Sequence, residues 1–200
     1  MRIGIFGGTF DPIHVGHLIL AERCRDDAKL DEVWFLPSYR PPHKTDREIT
    51  RFENRVDMAQ LATTGQPMFR VDQIERELPP PSYTSETLAE LHRRRPGDEF
   101  ALILGVDSLV DLPKWHEPKR VLEQAELIVV PRPGTEMWSL EQLATALDIS
   151  SSTIRVTFVA CPLIDIASRE LRRRVNEGKT IRFMVPRAVE EYVRERGLYR

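Results

Sequence analysis

A doubly wound, Rossmann-like α/β domain, an open parallel sheet with helices on both faces, is the fold class that the sequence predicts. Three observations carry it. Short apolar runs alternate with amphipathic stretches along nearly all of the 200 residues, and strands separated by helices pair in parallel. Two runs, Phe100-Ala101-Leu102-Ile103-Leu104 and Leu127-Ile128-Val129-Val130, are apolar without interruption, as strands covered on both faces are. A glycine pair, Gly7-Gly8, closes the first run just before a helical pattern begins, and sheets of this kind receive ligands beyond the carboxyl ends of their strands.

The elements follow in order. Residues 2–6 form a first strand, rich in β-branched and aromatic side chains. Val15, Leu18, Ile19, Leu20 and Cys24 then recur near helical spacing over 15–28. A second strand over 32–36 leads into a proline-rich loop at 38–48, then a helix at 51–62 and a strand at 69–72. Another proline-rich loop, 78–83, precedes a helix at 85–94. Both loops are candidates for the rim of the crevice. The two continuous apolar strands, 100–104 and 127–130, flank a helix at 118–124. A helix at 140–147, a strand at 154–160 and helices at 168–176 and 187–195 complete the chain. No repeat, low-complexity tract or linker divides it, which predicts a single domain.

Composition excludes several classes. A formal charge of −2 argues against a nucleic-acid partner, which would call for a strong basic excess. The basic cluster Arg169, Arg172, Arg173 and Arg174 suits a small anion instead. No apolar run reaches membrane-spanning length, so no membrane partner is expected. Only four residues separate Arg2 from the glycine turn, too few for a signal-peptide core. Cys24 and Cys161 stand apart in apolar segments, without C-x-x-C spacing. They read as buried packing thiols of a cytoplasmic protein.

Chemistry concentrates in Gly7-Gly8-Thr9-Phe10-Asp11-Pro12-Ile13-His14-Val15-Gly16-His17. Glycines let backbone N–H groups approach an anion, and the new helix aims unpaired N–H groups and its positive dipole end at the same place. His14 and His17, three residues apart, share a face and can donate to one charged group. The segment has neither the lysine of G-x-x-x-x-G-K-[ST] nor a G-x-G-x-x-G. Zinc would need further ligands that do not cluster nearby.

That segment resembles the G-x-F-D-P-x-H-x-G-H signature of the nucleotidylyltransferases, which move a nucleoside monophosphate from a triphosphate to a phosphorylated acceptor. Ile166-Ala167-Ser168-Arg169-Glu170-Leu171-Arg172-Arg173-Arg174 is similar to the family's second signature, I-S-S-T-x-I-R-x-R, with Ala167 and Arg169 departing from it. Ser168 is expected as a helix N-cap, with Arg172 one turn on, facing the same anion. Ile149-Ser150-Ser151-Ser152-Thr153-Ile154-Arg155 matches the letters more closely. It runs directly into a strand pattern and cannot open the helix a phosphate site needs. It is therefore expected as a solvated turn.

The resemblance implies one nucleotidylyltransferase domain over 1–200, with a helical part at 160–200 completing an ATP site. It implies catalytic roles for His14, His17 and Arg172. It also implies ATP contacts from Gly7, Gly8, Thr9, Phe10, Gly105, Asp107 and Ser168, with Mg²⁺ arriving on ATP.

Further segments are similar to those of the nicotinate mononucleotide adenylyltransferases. These are Pro41-Pro42-His43-Lys44, Tyr83-Thr84 with Thr87-Leu88, Gly105-Val106-Asp107-Ser108, Leu112-Pro113-Lys114-Trp115-His116 and Arg132-Pro133-Gly134. By that resemblance His43, Lys44, Tyr83, Thr84, Trp115 and Arg132 would bind the acceptor. The implied reaction is transfer of AMP from ATP to nicotinate mononucleotide, giving deamido-NAD and pyrophosphate. Adenylyl transfer to nicotinamide mononucleotide or phosphopantetheine, and an inactive nucleotide-binding protein, are the alternatives. A homo-oligomer is left open.

Overall fold

The computed structural model describes residues 1–41, 49–131, 138–162 and 164–200. Its strands are β1 (Arg2–Gly8), β2 (Glu32–Pro37), β3 (Phe69–Val71), β4 (Glu99–Gly105), β5 (Glu126–Val130) and β6 (Val156–Phe158). They form one six-stranded sheet in the order β3-β2-β1-β4-β5-β6, every pairing parallel. Between and after them run α1 (Val15–Asp27), α2 (Phe52–Thr63), α3 (Ile74–Glu77), α4 (Thr84–Arg94), α5 (Val106–Asp111), α6 (Pro118–Gln124), α7 (Leu140–Leu147), α8 (Ser168–Asn176) and α9 (Arg187–Glu195).

Side chains alternate across the sheet with period two. Trp34 and Leu36, Leu102 and Leu104, and Leu127 and Val129 face one core, shared with Leu88 of α4, Leu109 of α5, Val121 of α6 and Leu143 of α7. Val33 and Phe35, Ala101 and Ile103, and Ile128 and Val130 face the other, shared with Ala21 and Cys24 of α1, Met58 of α2, Leu171 of α8 and Val189 of α9. Both faces are thus covered by helices, as the uninterrupted apolar strands predict.

Differences from the sequence reading are local. Helices α3 and α5 are four and six residues long, too short for a 3.6-residue period to show. Residues 105–108, between the expected strand and the next helix, open α5, with Gly105 as its N-cap. Strand β6 keeps only three residues of the expected run at 154–160, because it lies at the sheet edge with one neighbour. The serine run forms a 3₁₀ turn, Ser151–Thr153, leading into β6. It is the turn expected of it. Cys24 is buried, and its thiol is pushed up to about 12 by that burial. Cys161 is only partly buried, against the same core. No helix among the described residues is long and apolar enough to cross a membrane.

Candidate active site

A crevice opens where the strand order reverses. Register between β1 and β4 ends at Ile5↔Leu102. Yet β1 stays paired with β2 to Gly8↔Pro37, and β4 with β5 to Gly105↔Val130. The two central strands therefore part over their last residues, and the chain leaves each of them at a glycine. Such a switch point, outside the carboxyl ends of the strands, is where open α/β sheets bind ligands. A Cβ added to Gly7 would meet nothing within 4 Å, so the strand end faces open space there.

From β1 the chain turns through Phe10, whose φ of 49° is in the left-handed region. Its ring is 2 % exposed and packs edge-on to Phe6, at 5.5 Å, and to His17, at 5.1 Å. Phe10 thus supports the imidazole rather than presenting its own ring to a ligand. His14 is the N-cap of α1, and its N–H donates to Nδ1 of His17 at 3.2 Å. The two imidazoles stack with centroids 3.6 Å apart. The stack explains Gly16: a Cβ there would lie 3.1 Å from Nδ1 and 3.2 Å from Cε1 of His14. His17 Nδ1 accepts, which places the proton of the neutral ring on Nε2.

The helix start offers fewer open amides than the sequence reading expects. The Val15 N–H donates to the Met184 carbonyl at 2.9 Å, and the His17 N–H returns to the His14 carbonyl at 3.0 Å. With the His14 amide engaged by His17, three of the four amides a helix start leaves over have partners. An anion placed here would therefore be met more by side chains than by backbone amides.

The second signature docks on the first. Ser168 is not the N-cap of α8, which is Ala167. The Ser168 hydroxyl is drawn away to the Pro12 carbonyl, at 2.9 Å. Arg172 Nη1 donates to the Asp11 carbonyl at 2.6 Å, and lies 4.0 Å from that residue's carboxylate. Residues 168 and 172 therefore reach the glycine–histidine segment, as expected, while Ser150–Thr153 do not.

Four residues order this site; Asp11 lies in the first signature, and the other three were not singled out by the sequence. Arg55 of α2 is 1 % exposed, and its guanidinium donates to the Thr50 carbonyl at 2.9 Å and to the Thr9 and Ser38 carbonyls at 2.7 Å each. Burial lowers its affinity for the proton, and the nearby Asp11 charge works against that. Asp11 is 4 % exposed and accepts from Tyr199 Oη at 2.6 Å and from the Thr50 N–H at 3.3 Å. Burial, with the Asp11 charge beside it, pushes the Tyr199 phenol well above its ordinary value, so it remains a donor.

The fourth is Glu75 of α3, buried and accepting from the Tyr39 N–H at 3.0 Å and from the Ser82 hydroxyl. Burial raises its carboxyl above the usual range. The one legible signal was Arg55, a charge three and four residues before the apolar Met58 and Ala59 on a helix.

Through Glu75 the loop after β2 joins the segment before α4. Arg40 and Ser82 reinforce that join with an N–H to hydroxyl bond at 3.2 Å and an N–H to carbonyl bond at 3.1 Å. Tyr83, N-cap of α4, stacks on His116 with centroids 4.1 Å apart. Thr84 begins α4, and Trp115 is half-buried against the core beside His116. The stack brings Tyr83 and the start of α4 beside the segment at Trp115 and His116. Asp107 is exposed in the first turn of α5. His43, Lys44 and Arg132 lie outside the described residues. Among the described residues, one group has the donor set of a metal site: Glu86, His116 and Glu117, all exposed. Arg120 already bridges its two carboxylates, at 2.6 and 2.7 Å, so the group is not assigned a metal.

Comparison with known proteins adds an independent line. The cytidylyltransferase-like family matches residues 5–157. The chain is 47 % identical over 199 residues to the probable nicotinate-nucleotide adenylyltransferase of Thermomicrobium roseum, spanning all of this chain and 92 % of that one. It is 42 % identical over 200 residues to a protein of the same name from Thermus thermophilus, spanning both fully. Among solved structures, the nicotinic acid mononucleotide adenylyltransferase of Plasmodium falciparum complexed with NaAD superposes with a TM-score of 0.80. The identity there is 18 %, covering 99 % of this chain and 97 % of that one.

Two outcomes follow from the geometry. Gly16→Ala is expected to fold but to push the His14 ring aside, lowering affinity for ATP roughly tenfold or more in a calorimetric titration. Glu75→Gln bears on stability. The folded-state carboxyl of Glu75 titrates above its unfolded value, so its charged form weakens the fold at neutral pH. That cost vanishes once pH falls below the unfolded value. Gln keeps an acceptor for Tyr39 and carries no charge. Urea unfolding should show Glu75→Gln more stable than the parent at pH 7, with the advantage gone by about pH 4.

Proposed function

The chain belongs to the cytidylyltransferase-like family and, within it, to the nicotinate-nucleotide adenylyltransferases, and we propose that the crevice between β1 and β4 is where it acts. It is a nucleotidyltransferase of NAD biosynthesis that moves AMP from ATP to nicotinate mononucleotide, giving deamido-NAD and pyrophosphate. The observation that carries the assignment of the site is the His14–His17 stack at the start of α1, beside the strand end at Gly7.

The chemistry follows from charge. The acceptor's 5′-phosphate is already an anion at neutral pH, so no strong general base is required. The protein must hold it in line with the α-phosphorus and neutralise charge gathering on pyrophosphate. His17, with its proton on Nε2, donates to an α-phosphate oxygen, and His14 stacked against it fixes the ring's orientation and faces the same phosphate region. Gly7 and Gly8 admit the polyphosphate close to the backbone. Arg172 has further N–H groups beyond the one held by Asp11, and these reach the β- and γ-phosphates, with the start of α8 at Ser168 beside them. Asp107 and Gly105 take the ribose side of ATP.

On the acceptor side, Trp115 offers a flat apolar surface to the pyridine ring, with Tyr83 and Thr84 next to it. His43 and Lys44 follow β2 in sequence and Arg132 follows β5; in this reading all three bind the acceptor, with Lys44 and Arg132 supplying charge for its phosphate. Magnesium would enter as part of the substrate, Mg-ATP, and would supply charge neutralisation to its phosphates. The compartment in this reading is the cytoplasm, supported by two free cysteines.

Purified protein supplied with Mg-ATP should release pyrophosphate with nicotinate mononucleotide in preference to nicotinamide mononucleotide or phosphopantetheine. His17→Ala should lower that turnover about 10²–10³-fold, the usual effect of removing one transition-state donor. Release with phosphopantetheine alone would overturn the substrate, and near-normal turnover by folded His17→Ala would overturn the site.

A further inference from the structure

We infer that Tyr199 and Asp11 are positioning residues for Arg172, so that Tyr199 tunes the grip on ATP without touching it. The inference rests on the assignment of Arg172 to the triphosphate.

Asp11 is a buried carboxylate with a divided set of partners. Tyr199 Oη donates to Oδ1 at 2.6 Å, and the Thr50 N–H to Oδ2 at 3.3 Å. Arg172 meets the same residue differently. Its Nη1 sits 2.6 Å from the backbone carbonyl but 4.0 Å from Oδ2, beyond hydrogen-bond range of the carboxylate. The carboxylate thus attracts the Arg172 guanidinium without capturing it, and the guanidinium's remaining N–H groups stay available.

The tail is shaped to maintain that division. After α9 the chain reverses at Gly197, with φ of 60°, and the Leu198 N–H returns to the Val193 carbonyl at 3.0 Å. Tyr199 itself holds φ of 66°, a conformation that bulky side chains avoid. Such a conformation persists only where the surrounding structure holds the side chain firmly. Here the phenol is held between Asp11 and Met58, with its Oη 3.9 Å from the Met58 sulfur.

Removing the hydroxyl would leave the buried carboxylate short of one donor, and with Arg55 beside it already held by three carbonyls, the cation left to answer is Arg172. Arg172 needs to move only from 4.0 Å to contact. Once paired with the carboxylate, its guanidinium turns from the triphosphate. ATP binding should weaken while acceptor binding, on the other side of the crevice, does not.

The test compares parent, Tyr199→Phe, Asp11→Asn and the double variant, measuring ATP affinity by calorimetry without acceptor and the KM for nicotinate mononucleotide by pyrophosphate release. Tyr199→Phe should weaken ATP binding about tenfold and leave the acceptor KM within about twofold of the parent. In the Asp11→Asn background, with no charge to pull Arg172, Tyr199→Phe should change ATP affinity no further. Unchanged ATP affinity in Tyr199→Phe, an equal loss in both backgrounds, or parallel weakening of the acceptor would overturn the inference. So would a Tyr199→Phe chain that fails to fold, since the hydroxyl would then serve stability. Absence of turnover by the parent protein would instead strike the functional reading beneath it.

Discussion

The guanidinium of Arg55, almost wholly removed from water, ties the backbone of three separate stretches of chain through the carbonyls of Thr9, Ser38 and Thr50. Burying a charge costs several kcal/mol unless hydrogen bonds replace its hydration. Here three carbonyls and the field of Asp11 do so. The planar fork suits the task, because its N–H groups point in fixed and different directions. Thr9 belongs to the turn that carries the histidines, and Ser38 follows directly on β2. One buried residue therefore holds the turn at Thr9 and the loop at Ser38 in a common frame.

The sheet supplies what that frame encloses. Because β1 and β4 part after Ile5 and Leu102, the space between Gly7 and Gly105 is left by topology rather than carved by side chains. Helix α1 then brings His14 and His17 to one edge of it, and α8 docks Arg172 on the same turn. Glu75 ties the loop after β2 to the segment before α4 on the opposite edge. Buried polar groups with complete sets of partners define one geometry for each loop, where apolar packing alone would tolerate several.

Much of this was legible in the sequence, and the remainder was hidden for identifiable reasons. Uninterrupted apolar runs such as residues 100–104 specify a sheet covered on both faces, and the alternation of Trp34 and Leu36 against Val33 and Phe35 bears this out. The glycine–histidine segment marked in advance the turn on which the proposed anion site is built, because glycines and paired imidazoles are written directly in residue type. What Ser168 does was misjudged. A serine near a helix start suggests a cap, but the nearby Pro12 carbonyl, 156 residues away in sequence, claims its hydroxyl. Tyr199 and Glu75 were invisible for the same reason: their partners are set by the folded chain and leave no local period. Arg55 was the exception, a charge on an apolar helical face.

If Arg55 is the joint between the two halves of the site, Arg55→Lys tests the account most directly. Lysine keeps the charge, but its tetrahedral ammonium cannot span three carbonyls held in the plane of a fork. Steady-state kinetics on the folded variant should show the KM for ATP and the KM for nicotinate mononucleotide rising together, each about tenfold. A folded Arg55→Lys protein in which only one KM rises, or neither does, would contradict the claim that this residue holds both loops.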